Sequence, residues 1–183
     1  MTYYQEGDFQ SAIKTANQAL HLAKDEFGVL SEAYLSSLSN LAYAQSGKGD
    51  YIDAVKNFSS LLTLSIERYQ LPHISQFEAL LELSKTYVSV AKYDSAEYYV
   101  GLATYIYNNV YEQNRSHYDS TAYNWNVSYM RFNGIQSTLL HRKGQIEQAI
   151  AVLETQLREI QRLYPDEFEI LPEYAITISN LSV

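Results

Sequence analysis

The sequence predicts an all-α fold: an α-solenoid of stacked antiparallel helical hairpins, about four units with truncated ends. Three observations predict it. A turn signature, small residue–polar–aromatic with an alanine five residues after the small one, recurs along the chain. It reads Gly7-Asp8-Phe9 with Ala12, Gly49-Asp50-Tyr51 with Ala54 and Ala91-Lys92-Tyr93 with Ala96, and a looser copy is Gly144-Gln145-Ile146 with Ala149. The four alanines are spaced by 42, 42 and 53 residues, and a repeat in this range means stacked supersecondary units. Between the turns, apolar residues recur at three- and four-residue steps: Leu35, Leu38, Leu41 and Ala42 before one turn, Ala54, Phe58, Leu61 and Leu62 after it. Finally, no segment alternates as a strand would, and only 7 glycines and 3 prolines interrupt the chain.

The elements follow in order. The first unit (1–28) keeps the end of one helix (1–6) and a full helix over 8–27. The second (29–70) has helices near 30–47 and 50–69, the third (71–114) near 73–90 and 94–113. The fourth (115–164) has a long helix near 118–142 and another at 145–163, and a partial unit (165–183) begins a helix at about 167. The small turn residue permits a tight C-cap, and Asp8 or Asp50 can cap the helix that follows. The repeated alanine falls where two helices approach closely. Pro72, Pro165 and Pro172 precede helical stretches, where proline is tolerated. The longer last step, between Ala96 and Ala149, adds about eleven residues, or about three helical turns. The surplus lies around 110–126, contains Tyr111, His117, Tyr118, Tyr123 and the single tryptophan Trp125, and is expected to form a protruding aromatic tip. Tyr98, Tyr99, Tyr105 and Tyr107 are expected to pack between helices. Both ends stop inside a unit, which suggests a piece of a longer protein or ends that pair between chains as a homodimer.

Composition narrows the function. Apolar residues make up 46% of the 183, enough for a core, and no apolar run reaches membrane-spanning length. With no cysteine there is no disulfide or thiolate chemistry, which fits a reducing, cytoplasmic setting. A net charge of −8 disfavours nucleic acid and acidic membranes as partners. The histidines His21, His73, His117 and His141 form no His-x-x-x-His pair, so a helical metal motif is missing. There is no Gly-x-Ser-x-Gly elbow and no phosphate loop; Gly47, Gly49 and Gly144 read as turn glycines. The Asn-x-Ser matches at Asn57, Asn126 and Asn180 read as chance. No cofactor, metal or catalytic group is expected.

Leu41-Ala42, Gly49, Tyr51, Ala54 and Phe58 resemble the apolar–small pair, glycine, aromatic and alanine of tetratricopeptide (TPR) repeats. The 42-residue period is similar to the kinesin-light-chain-like subclass. Leu38-Ser39-Asn40-Leu41-Ala42, and again Pro172, Ala175, Ile178, Ser179, Asn180 and Leu181, resemble that subclass along its first helix. The third unit departs by placing Ala91 at the turn, and the fourth by placing Asn133 and Gln136 at apolar positions.

The resemblance implies a protein- or peptide-binding scaffold whose first helices line a concave face. Projecting those helices gives Ser36, Ser39, Asn40 and Tyr43 in the second unit and Glu78, Glu82 and Lys85 in the third. The fourth contributes Arg131, Thr138, His141 and Arg142, and the last Ile176 and Asn180. The resemblance gives Asn40 and Asn180 the role of hydrogen-bonding an extended peptide backbone. A Lys/Asn/Arg clamp for a terminal carboxylate is not expected, because Glu78 and Glu82 occupy the corresponding face. Tyr118, Tyr123 and Trp125 form a second candidate surface, since Tyr and Trp are favoured at interface hot spots. Two other readings compete with the scaffold: a regulatory sensor segment of a bacterial multidomain signalling or protease protein, and a self-association module.

Overall fold

A computed structural model of the chain describes residues 8–69, 73–111, 122–166 and 177. All elements among them are helical, and none is long and apolar enough to cross a membrane. The chain divides into two compact units, Met1–Val90 and Ala91–Val183.

The first unit contains four described helices: α1 (Phe9–Phe27), α2 (Glu32–Lys48), α3 (Tyr51–Arg68) and α4 (Ile74–Ser89). Each packs on the next in chain order. Asp8 starts α1 by accepting from the Ser11 amide at 3.0 Å; the Ser11 hydroxyl first, and this amide with it, hold the Asp8 carboxyl below the usual carboxylate range. Ser31 starts α2 the same way, accepting from Tyr34 at 3.1 Å while its hydroxyl donates to Gly28 at 2.7 Å.

The turn between α2 and α3 follows from Gly49. Its φ of 90° is left-handed, which costs glycine nothing because it lacks a β-carbon. The Gly49 amide then reaches the Ser46 carbonyl at 3.1 Å and the Asp50 amide reaches Gln45 at 2.9 Å, satisfying two carbonyls that α2 would leave bare. Asp50 sits at the N-cap position of α3 without a side-chain cap bond. Its carboxylate pairs with Lys48 instead, at 2.9 Å. Gly47 is no turn residue: it lies inside α2, where a β-carbon would collide with the ring of Phe9 on α1. Leu35, Leu38, Leu41, Ala42 and Ala44 of α2 and Ala54, Phe58 and Leu61 of α3 are buried. Tyr43 meets Phe58 edge-on, 5.3 Å between centroids.

The second unit begins with α5 (Tyr93–Tyr105), which expected helical geometry would carry to about 113. It turns instead into a π-helix over Ile106–Tyr111. Two further helices, α6 (Ala122–Arg142) and α7 (Ile146–Leu163), form a hairpin. Gly144, with φ of 77°, closes it by the device used at Gly49: its amide reaches His141 and that of Gln145 reaches Leu140, both at 2.9 Å. Lys143 ties this turn to Glu97 of α5 at 2.7 Å. Ala91 holds the equivalent left-handed position with a φ of 57°.

Tyrosines organise this second core. Tyr107 stacks on Tyr129 at 3.5 Å and 6°, and lies 5.1 Å from Tyr111. The Tyr111 hydroxyl donates to Asn126 Oδ1 at 3.4 Å. Tyr111 is thus fully buried and takes no part in a protruding tip. Tyr98 and Tyr105 correct the expectation in the opposite sense, being 63% and 61% exposed. Three of the repeated alanines, Ala54, Ala96 and Ala149, are buried as expected of close helix approach. The helices expected over 1–6 and from 167 onward lie outside the described residues.

Candidate functional site

The first unit carries an open pocket of about 110 Å³, lined by Glu32, Leu35, Ser36 and Ser39 of α2, Leu61 of α3, Tyr69, and Ser75 and Glu78 of α4. Its shape follows from helix periodicity. Glu32, Ser36 and Ser39 fall at steps of four and three along α2, and so share a face. Ser75 and Glu78 do the same along α4. Leu35 and Leu61 belong to the buried core and supply the apolar part of the lining.

One wall is a stacked array that ends α3 and begins α4. The ring of Tyr69 stacks on His73 at 3.8 Å and 11°, and the Arg68 guanidinium lies 5.3 Å from the Tyr69 centroid. Arg68 also donates to the Leu30 carbonyl and approaches Glu32 at 3.8 Å. His73 is the N-cap of α4. Its Nδ1 accepts from the Ser75 amide at 3.3 Å and lies 3.0 Å from the Ser75 hydroxyl. Burial favours the neutral ring and pulls its pKa below 6.5; Glu32 opposes this and Arg68 reinforces it. A neutral ring is also what the cap requires, because the lone pair on Nδ1 is the acceptor.

The residues expected to bind divide into groups. Ser36, Ser39 and Glu78 come together in the pocket. Asn40 lies exposed one turn beyond Ser36, and Tyr43 is half-buried against Phe58. Glu82 departs from the expectation of a surface residue. It is 1% exposed, with Oε2 3.5 Å from Lys85 Nζ, because α4 is buried nearly all round from Gln76 to Ser84. Lys85 remains exposed.

In the second unit Arg131, Thr138, His141 and Arg142 are exposed on α6, and the Thr138 hydroxyl donates back to Gly134 at 2.8 Å. Asn133, placed by the sequence at an apolar position, is indeed buried. Tyr123 and Trp125 belong to the first turn of α6, but their side chains fall outside the described residues, as do Tyr118, Ile176 and Asn180.

Sequence reasoning missed Glu32, Leu35, Leu61, Tyr69 and Ser75 as lining residues. Glu32 and Ser75 were within reach, because extending each helical face one step toward the N-terminus arrives at them. Tyr69 sits past the end of α3, where helical periodicity gives no guide.

No protein-family model matches the chain, and no curated protein matches it. Solved structures do. One is the crystal structure of the nearly identical TPR-like repeats of a Podosopora anserina protein described as a kinesin light chain. It shares 17% identity at a TM-score of 0.66, over 98% of this chain and 78% of that one. A single-substitution variant of the same protein gives the same figures. The fold is therefore TPR-like, an all-α helical repeat, as the turn signature and its period predicted.

Proposed function

We propose that this chain is a non-catalytic scaffold that binds an extended protein or peptide segment across the pocket that its first helices, α2 and α4, form together. TPR-like repeats are in general protein-interaction scaffolds. The observation that carries the finer reading is the convergence of Ser36, Ser39 and Glu78, from two different helices, on one open pocket. Asn40 continues that face with an amide able to donate and accept.

The pocket's size supports the same reading. Small-molecule and cofactor sites enclose about 300–1,000 Å³, well above the 110 Å³ here. Room for one side chain is what an extended segment lying across two helices needs at each anchor.

The test is selection of binders from a displayed library of random linear peptides, followed by affinity measurement. The expected result is a set of peptides whose affinity falls at least tenfold when the pocket is filled by Ser36→Trp with Ser39→Trp. The same peptides should bind an Ile52→Ser variant normally, because Ile52 is 88% exposed on α3 and does not line the pocket. Thermal melts establish that each variant is folded. Selection of no peptide, or peptides indifferent to pocket filling, overturns the proposal.

A further inference from the structure

The second unit carries an exposed helical face with a pattern of its own. Asp94, Tyr98, Leu102 and Tyr105 recur along α5 at steps of four, four and three, and so share one side of the helix. That side lies opposite the buried Ala96, Val100 and Ala103. Tyr98 and Tyr105 are 63% and 61% exposed. The Tyr98 ring meets Tyr99 edge-on, and the Tyr105 carbonyl accepts from Asn109, but among the described residues neither tyrosine hydroxyl has a hydrogen-bond partner. Gly101 lies between the two rings, and a β-carbon there would meet nothing within 4 Å. Asp94 is exposed and joins no ion pair among the described residues. The face is thus two aromatic ridges, a low floor of Gly101 and Leu102 between them, and a carboxylate at one end.

We propose that this face is a second docking surface, independent of the pocket, and that it takes a proline-rich segment of a partner protein, in the polyproline II conformation, with a lysine or arginine of that segment over Asp94. Spacing favours this occupant. Seven residues of α-helix set the two tyrosines about 10.5 Å apart along the axis. One polyproline II turn of three residues advances about 9.3 Å, so two prolines on the same side of the segment reach one ring each. A β-strand repeats the same side about every 6.8 Å and matches less well. The hydroxyls favour it too. Polyproline II has no internal hydrogen bonds, so its carbonyls are open to tyrosine donors, whereas an α-helix has already used most of its own. Charge complementarity sets the basic residue: α5 contains no Lys or Arg, and a cation over Asp94 also lies beside the Tyr98 ring, one turn away. Aromatic-lined grooves suit such segments because the ligand is ordered before it binds.

The test is a displayed peptide library with Pro-x-x-Pro fixed and the flanking positions random, selected on the full chain. The expected result is binders with Lys or Arg enriched at one flank. Their affinity should fall at least tenfold in the Tyr98→Ala, Tyr105→Ala double variant and at least fivefold in Gly101→Leu. The second variant puts a better helix former at an open position, so its loss of binding is not a loss of fold; melting curves check both. Replacing the basic residue by glutamine should weaken binding to the wild type and make little difference to Asp94→Asn. Filling the pocket by Ser36→Trp with Ser39→Trp should leave these peptides bound. Selection of no binder, binders that hold to both α5 variants, or binders lost on pocket filling overturn the proposal. So does a chain that sediments as a dimer and becomes a monomer when both tyrosines are alanine, since a second copy then covers the face.

Discussion

Gly49 and Ala91 hold the same place in the repeat, and they pay differently for it. Both residues are left-handed, with φ of 90° and 57°. In the first unit the position is filled by the one residue that meets no penalty there. The second unit opens with an alanine whose β-carbon crowds the backbone, at a cost of roughly 1–2 kcal/mol. The repeat therefore specifies a backbone angle, and the residue only sets its cost.

The cores differ too. The first unit brings helices close through Ala42, Ala44 and Ala54 and the Gly47–Phe9 contact. The second fills its space with stacked tyrosines and lets α5 loosen into a π-helix. Close approach through small residues suits an unbroken array, whereas the tyrosine core accompanies the unit where the period lengthens.

The largest expected effect bears on the first core. Phe58→Ala removes a ring that is 1% exposed and should cost about 3–5 kcal/mol, read as a lower urea midpoint with an unchanged slope. Next is Gly47→Ala, which drives a methyl into the Phe9 ring; overpacking costs about 1–3 kcal/mol, offset by the roughly 0.5–1 kcal/mol that alanine gains over glycine within a helix. Adding Phe9→Leu should recover part of that loss; a double variant no better than Gly47→Ala refutes the close-approach account.

Smaller effects sharpen the comparison of turns. Gly49→Ala meets no atom within 4 Å, so it loses about 1–2 kcal/mol to the left-handed backbone and recovers about 0.4–1 kcal/mol by stiffening the unfolded chain, a net loss of about 0.5–1 kcal/mol. The reverse change, Ala91→Gly, relieves the same angle but loosens the unfolded chain by about 0.4–1 kcal/mol. It should stabilise by only about 0.5 kcal/mol, the difference of those two effects. Destabilisation by Ala91→Gly would show that position 91 is not under strain.

The subtlest expected effect is on pH. Burial depresses the pKa of His73 below 6.5 in the folded chain, so the unfolded chain takes up the proton first as pH falls. The contribution of His73 is complete above that value and is lost as pH drops through the lower folded pKa. Melting temperatures at pH 7.5 and pH 5.5 should differ more for the wild type than for His73→Asn, since asparagine caps without titrating.

Much of the fold was legible because a tight turn needs few residue types. The glycines at 49 and 144 and the spacing of the alanines located the hairpins, and helix limits fell within about two residues of expectation for α2, α3 and α7. Gly47 misled, since a glycine two residues before a turn looks like part of it. Glu82 misled because a projection assigns one face to solvent, and α4 has almost none there. Tyr98 and Tyr105 were read as packed because aromatic residues usually are; the periodicity of α5 already pointed inward at Ala96, Val100 and Ala103, leaving the tyrosines outside. The pocket was half legible, through Ser36, Ser39 and Glu78, and half hidden in the residues that link α3 to α4.

The division into two compact units, set beside a single tryptophan in the second, gives the molecule its own optical label. Indole emission from Trp125 is a signal that starts within the second unit of the sequence, whereas far-ultraviolet dichroism sums the helices of both. Recorded on one sample during heating, the two signals coincide if the units melt as one and part if they melt separately, with no dye attached and no residue changed.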